Sequence, residues 1–177
     1  TRQIVKGINL ISLPFDSPLT ELKNVCDVFS KNTVDTQIIQ VDGLAGTLVG
    51  WTCDQVSVSP PLIGKEVGVI LEEYDSAGSG TLTGNHLPNH VATVPDAGVF
   101  PYGLLVYSVP YNTCNHTARD ICIDAGLTNT TPGAVIRRFT PSGVQFAYTC
   151  DQPVIGFPLG PCGEAVMISD DVNGPKS

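Results

Sequence analysis

Three histidines, His86, His90 and His116, are the residues best suited to hold a metal or move a proton, and two stand four apart in HLPNH. A metal site needs two or three such ligands in fixed geometry. Pro88 works against the helix that would align His86 with His90, so these read as exposed loop histidines. In Asp170-Asp171-Val172-Asn173-Gly174, the side chains of Asp170, Asp171 and Asn173 offer oxygens that calcium favours. That stretch lacks the spacing of a calcium loop and a closing bidentate Glu, which leaves the three as weak metal candidates. Asp54-Gln55 recurs as Asp151-Gln152 in a CDQ motif, the Asp reading as a turn-capping residue. Glu66 and Glu164 also recur. Two carboxylates about 5–9 Å apart can hydrolyse glycosides, but each Glu here holds the same place in its own half, which suits a strand-edge charge. No GxSxG and no glycine loop between a strand and a helix is present. The expectation is a non-enzyme with no catalytic residue and no cofactor.

The six cysteines are the next reactive group, and none forms a CxxC pair, so zinc-ribbon and thioredoxin readings lack support. An even count, few lysines and abundant Thr and Ser point to an oxidising, extracellular setting. The chain begins at Thr1 without Met, which fits a mature form whose targeting segment has been removed. Asn115-His116-Thr117 and Asn129-Thr130-Thr131 are acceptor triplets, making Asn115 and Asn129 candidate glycosylation sites. Net charge is −8 and only Arg137-Arg138 places two basic residues together. A nucleic-acid partner needs a basic face, so none is expected. No apolar run reaches the roughly 20 residues that cross a bilayer, so no membrane insertion is expected either.

Self-similarity positions these residues. GINLISLPF from Gly7 and GLLVYSVPY from Gly103 share Gly, alternating apolar residues, Ser, an apolar residue, Pro and an aromatic, 96 residues apart. Cys26 matches Cys122 at the same offset, WTCDQ from Trp51 matches YTCDQ from Tyr148 at 97, and KEVGVIL from Lys65 matches GEAVMIS from Gly163 at 98. The marks keep their order, so the chain reads as two tandem copies: residues 1–84, a linker over 85–99, and residues 100–177. The duplication selects the disulfides Cys26–Cys53, Cys122–Cys150 and Cys114–Cys162 from the 15 pairings that six cysteines allow.

The fold expected is mainly β, with α+β as the alternative: two small modules, each a sheet of four or five strands carrying one short helix and stapled by disulfides. In the first copy the strands fall at Ile8–Leu13, Thr36–Val41, Thr47–Cys53 and Glu66–Glu72, with Thr81–Thr83 as a further strand. The helix opens at Ser17-Pro18, with Leu22, Val25, Val28 and Phe29 on one face. The counterparts are a helix over Thr117–Ile123 and strands at Ala134–Phe139, Val144–Cys150 and Glu164–Ser169. The modules pack through a pseudo-twofold or share one sheet.

GINLISLPF, the helix after it, the WTCDQ strand and GKEVGVI together resemble a β-rich module repeated in many bacterial secreted and surface proteins. Its hallmark reads approximately GWNLISLPL, then a helix, an aromatic hairpin, a GKGYWV-like strand and a TLTLTG-like closing strand. The likeness spans most of Val5 to Gly84, including Gly64-Lys65 and Thr81-Leu82-Thr83-Gly84, while Gly103 to Tyr111 keeps the outline. Ile8 stands where the pattern has Trp, Glu66-Val67-Gly68 replaces Gly-Tyr-Trp, and paired cysteines are not part of it. The resemblance implies a repeat in a surface-attached or matrix protein and implies no chemistry.

The function expected is an extracellular structural subunit, self-assembling into a fibre or surface layer by strand exchange or edge pairing. Thr1–Lys6 would be the arm that fills a gap in a neighbour. The alternative is a monomeric secreted module binding carbohydrate or protein, with Trp51, Phe146, Tyr148 and Tyr74 as stacking candidates.

Overall fold

The computed structural model describes residues 1–14, 16–42, 47–63, 67–84, 104–109, 116–124, 127, 134–140, 142–160 and 164–170. The chain is mainly β. In order it forms β1 (Arg2–Ile4), β2 (Gly7–Ile11), α1 (Leu22–Val28), β3 (Thr36–Asp42), β4 (Thr47–Thr52), β5 (Val69–Glu73) and β6 (Gly78–Gly80). There follow β7 (Leu104–Tyr107), α2 (Ala118–Asp124), β8 (Ala134–Phe139), β9 (Gln145–Thr149) and β10 (Val166–Asp170).

Two four-stranded antiparallel sheets result, ordered β2-β5-β3-β4 and β7-β10-β8-β9. Each order reads first strand, last strand, then the hairpin. Alternation along the strands gives each sheet two apolar faces. Ile11, Ile38, Trp51, Val69 and Leu71 pack against α1 through Leu22, Val25, Cys26 and Phe29. Tyr107, Ile136, Tyr148, Val166 and Ile168 pack likewise against α2 through Ala118, Ile121 and Cys122. The opposite faces meet each other in a third cluster of Leu10, Val41, Val106 and Ala165. The layers run helix, sheet, sheet, helix, with β3 against β7 and β2 against β8.

Register aligns the two sheets strand by strand. Ile11 pairs with Val69 as Tyr107 pairs with Val166, and Ile38 pairs with Trp51 as Ile136 pairs with Tyr148. This corrects the sequence alignment by one residue at the last strand: Glu164 corresponds to Val67, not to Glu66. The junction has the same symmetry. Ile11 bridges Glu164 while Tyr107 bridges Val67. Gly68 N–H donates to the Val106 carbonyl at 2.8 Å, and Ala165 N–H donates to the Leu10 carbonyl at 3.2 Å. Each inner edge strand, β2 or β7, is thereby capped by backbone from the other sheet.

Disulfides join Cys26 to Cys53 and Cys122 to Cys150, tying each helix to the end of the adjacent hairpin. The bridged cysteines are 27 and 28 residues apart, a spacing that stabilises by about 3.5 kcal/mol per bridge in the chain-entropy account. Cys114 and Cys162 lie outside the described residues.

Two local expectations are corrected. The first helix starts at Leu22 rather than near Ser17, because Glu21 and Asn24 form a reciprocal cap there, with Glu21 N–H donating to Asn24 Oδ1 at 3.0 Å. The strand expected at Thr81–Thr83 lies earlier, at Gly78–Gly80, where it pairs with β1. Gly-Ser-Gly reads as a turn, yet a Cβ on Gly80 would stand 2.5 Å from the Val28 carbonyl oxygen. Only glycine lets this strand lie that close to α1. Arg2–Ile4 is thus committed to its own chain, with Ile4 fully buried, and is not a free arm.

Candidate functional site

The strand order leaves β4 and β9 as the outer edges of the two sheets. Cys53 N–H donates to the Thr36 carbonyl and Cys150 N–H to the Ala134 carbonyl, each at 2.9 Å. Antiparallel alternation then turns the backbone groups of Leu48, Gly50 and Thr52 outward, and those of Gln145, Ala147 and Thr149 likewise. Neither strand carries a charge or a proline. These are the usual guards of an exposed edge.

Exposed apolar side chains gather at the same two margins. Leu48 on β4 and Val56 and Val58 just beyond it are exposed, as are Val144 and Phe146 at β9 and Val154 and Ile155 beyond it. These are seven of the twelve large hydrophobic residues exposed among the described ones. Exposed apolar residues gathered in this way are what a contact surface would need.

The two margins differ in detail. On β9 the Phe146 ring rests 6.0 Å from Phe157, with the Arg138 guanidinium 5.9 Å from its centre. The Tyr148 hydroxyl lies 2.6 Å from both the Gln152 and Val154 carbonyls, donating to one at a time, which tethers the loop after β9. Trp51 holds the equivalent position on β4, and its Nε1–H is buried without a partner. The loop after β4 lacks that tether, and Val56 and Val58 stand in solvent. We expect Tyr148→Phe to cost about 1–2 kcal/mol in chemical denaturation and to raise backbone exchange at 152–155, since one buried hydrogen bond is lost. Unchanged stability and exchange would show that the hydroxyl does not hold the loop.

A buried charge joins β8 to the junction. Glu164 is 8% exposed and receives Arg138 Nε at 3.1 Å. Burial pushes its carboxyl up, and Arg138, Arg2 and the Gly160 N–H pull it back only in part. Glu164 is therefore not the strand-edge charge expected from sequence. In the first sheet the same three positions are Gln40, Val67 and Ile63, and one amide does the work: Gln40 donates to the Val67 carbonyl at 3.3 Å and accepts from Ile63 N–H at 2.7 Å.

The aromatic candidates divide. Trp51 and Tyr148 fill the cores, whereas Phe146 and Tyr74 are exposed, the Tyr74 hydroxyl donating to Glu72 at 2.5 Å. Asp54 and Asp151 are exposed in turns closed by backbone, with Gln55 N–H donating to Thr52 O at 3.0 Å and Gln152 N–H to Thr149 O at 3.1 Å. Asp170 ends β10 opposite Ala134, while Asp171, Asn173, Glu66, His86, His90, Asn115 and Asn129 lie outside the described residues. His116 precedes α2, where its carbonyl accepts from Leu159 N–H at 2.9 Å. Among the described residues no group of three His, Cys, Asp or Glu could hold a metal, and no helix is long and apolar enough to cross a membrane.

Sequence reading missed a buried ionic cluster in the first sheet. Lys31 Nζ lies 2.9 Å from Glu73 Oε2, and Thr36 donates to the same oxygen at 2.9 Å. The N–H groups of Asp75 and Ser76 donate to the other oxygen. No family model, curated protein or solved structure matches the chain.

Proposed function

We propose that this chain is an extracellular structural subunit, a tandem duplication of one β module, that self-assembles into a fibre or surface layer by pairing sheet edges. The observation that carries this reading is the pair of outer strands, β4 and β9, uncharged, proline-free and bordered by most of the large apolar side chains exposed among the described residues. An edge of this kind templates another strand. Two such edges on one chain allow growth without closure. The disulfides support an oxidising setting, where a layer or fibre must endure without chaperones. With Arg2–Ile4 paired in its own chain, the reading rests on edge pairing rather than on exchange of the N-terminal segment.

The test is electron microscopy of the native, non-reduced protein over a concentration series, with light scattering beside it. Regular fibres or sheets that grow with concentration are expected. Particles that stay at 18.7 kDa throughout would overturn the reading and turn attention to a glycan screen on the exposed rings of Phe146 and Tyr74.

A further inference from the structure

We infer that the seam between the two sheets is also a docking surface for a second copy of this chain. The first module of one copy takes the second module of another in place of its own, and neither module takes its own kind. This rests on the reading of the chain as self-assembling, but through a contact other than the sheet edges.

The fold itself displays both halves of that contact. Gly68 N–H donates to the Val106 carbonyl as Ala165 N–H donates to the Leu10 carbonyl, and Ile11 bridges Glu164 as Tyr107 bridges Val67. One set of contacts occurs twice about an approximate twofold, which is the form of an interface between two like subunits. The seam's apolar cluster, Leu10, Val41, Val106 and Ala165, is the smallest of the three among the described residues. Each module instead holds a core of its own around its own disulfide, Cys26–Cys53 or Cys122–Cys150. Nineteen residues separate Gly84 from Leu104, a length that spans up to about 65 Å at full extension. Connectivity therefore does not confine the seam to one chain. Exchanging a module between copies keeps every seam contact and gives up only the proximity of the chain's own partner.

Side chains at the seam select unlike modules. Gly68 faces Ala165, its own counterpart, and a Cβ on Gly68 would stand 2.8 Å from the Ala165 Cβ. Two second modules would set Ala165 against Ala165, two methyl groups in the room of one. Two first modules would set Gly68 against Gly68 and leave that room empty. The serines divide in the same way. Ser12 donates its hydroxyl to the Glu164 carbonyl, whereas its counterpart Ser108 accepts from Leu13 N–H. The partner fitted to the first module is thus the second module, from whichever copy it comes.

The test is disulfide trapping between full-length chains. Val67 and Tyr107 bridge antiparallel across the seam, a relation that sets Cα atoms about 4.5–5.5 Å apart, within reach of a disulfide. One chain carries Val67→Cys and the other Tyr107→Cys, so the two new thiols meet only when the seam forms between chains. Ile11→Cys with Glu164→Cys is a second such pair, which leaves the Tyr107 ring in place. The chains are mixed over a concentration series, oxidised mildly and resolved without reductant. A covalent dimer of twice 18.7 kDa is expected from both pairs, its share rising roughly in proportion to concentration while it is the minor species. Pairing of sheet edges does not bring residue 67 to residue 107 and gives no such band. Ile11 is the counterpart of Tyr107, so a band between Val67→Cys and Ile11→Cys chains would report like modules pairing and overturn the selection. No band between chains from either pair, while a chain carrying both Val67→Cys and Tyr107→Cys closes on itself, would overturn module exchange and leave edge assembly standing.

Discussion

Lys31→Leu should destabilise the chain by about 3–5 kcal/mol, the cost of leaving a buried carboxylate without its counter-ion. Glu73 is fully buried and the Lys31 side chain is 10% exposed, so little solvent screening softens the loss. Lys31 Nζ also donates to the Ser76 carbonyl at 2.6 Å, so the pair ties the end of α1 to the turn that leads into β6. Loss of the ammonium should loosen that turn and the pairing of β6 with β1. The second sheet supplies the control. There the position of Lys31 is Leu127, whose N–H donates to the Cys122 carbonyl as that of Lys31 does to Cys26, the position of Thr36 is Ala134, and the position of Glu73 is Asp170. The fold therefore accepts an apolar residue at the place of the ammonium. Lys31→Leu combined with Glu73→Leu should recover much of the loss, since an apolar replacement of a whole buried pair is often near neutral. A double-mutant cycle in urea measures this. A single substitution costing under about 1 kcal/mol would mean that the pair is hydrated in solution.

The same cluster sets an acid limit. Burial pushes Glu73 up, but the Lys31 ammonium, the Asp75 N–H, the Thr36 hydroxyl and the Ser76 N–H outweigh it and hold the carboxyl below the ordinary value of 4.5. A carboxyl whose folded value is depressed contributes stability that is present above its unfolded value and disappears as pH falls through its folded value. The contribution of this cluster should be complete above about pH 4.5 and should be lost progressively as pH falls from there through the lower folded value. Glu73→Gln should accordingly flatten the acid limb of a stability profile and lower the plateau above it.

Much of the architecture was legible because it rests on local alternation and on self-similarity. Ile38, Trp51, Val69 and Leu71 alternate as strand residues, and their counterparts 97 or 98 places on made the helix-and-sheet pattern visible twice. What escaped was long-range. Nothing in Gly-Ser-Gly announces a strand, since the need for Gly80 arises from α1 lying over it. Nothing in Lys31 or Glu73 announces burial, because the two are 42 residues apart and meet only once the helix docks. Aligning Glu66 with Glu164 followed chemical likeness, whereas the backbone register answers to pairing with β2 and β7. The outer edges were half legible: uncharged strands can be read from sequence, but which of them end as edges is decided by strand order.

Gly68→Val should cost about 3 kcal/mol and should act on the junction between the sheets rather than within either one. Gly68 lies just before β5, where its N–H bonds to Val106 of β7. A Cβ added there would stand 2.8 Å from the Ala165 Cβ, 2.9 Å from the Ile11 carbonyl oxygen and 3.1 Å from Val106 Cγ1. The carbonyl belongs to a paired strand and cannot rotate away, so relief requires the two sheets to separate. That places the cost at the upper end of the 1–3 kcal/mol usual for overpacking. Ala165 is the symmetry counterpart of Gly68, so the contact has room for one methyl group and not two. Gly68→Ala should therefore be destabilising alone, and combining it with Ala165→Gly should recover part of the loss by moving that methyl across the axis. The Ser12 hydroxyl bond to the Glu164 carbonyl at 2.9 Å and the Leu13 N–H bond to the Ser108 hydroxyl at 3.0 Å span the same seam. Hydrogen exchange should show protection falling at Leu13, Gly68 and Ala165 in Gly68→Val while the α1 core, closed by Cys26–Cys53, keeps its own. Exchange that rises evenly through both cores would show that the sheets unfold as one unit, and the junction would then be no weaker than the layers it joins.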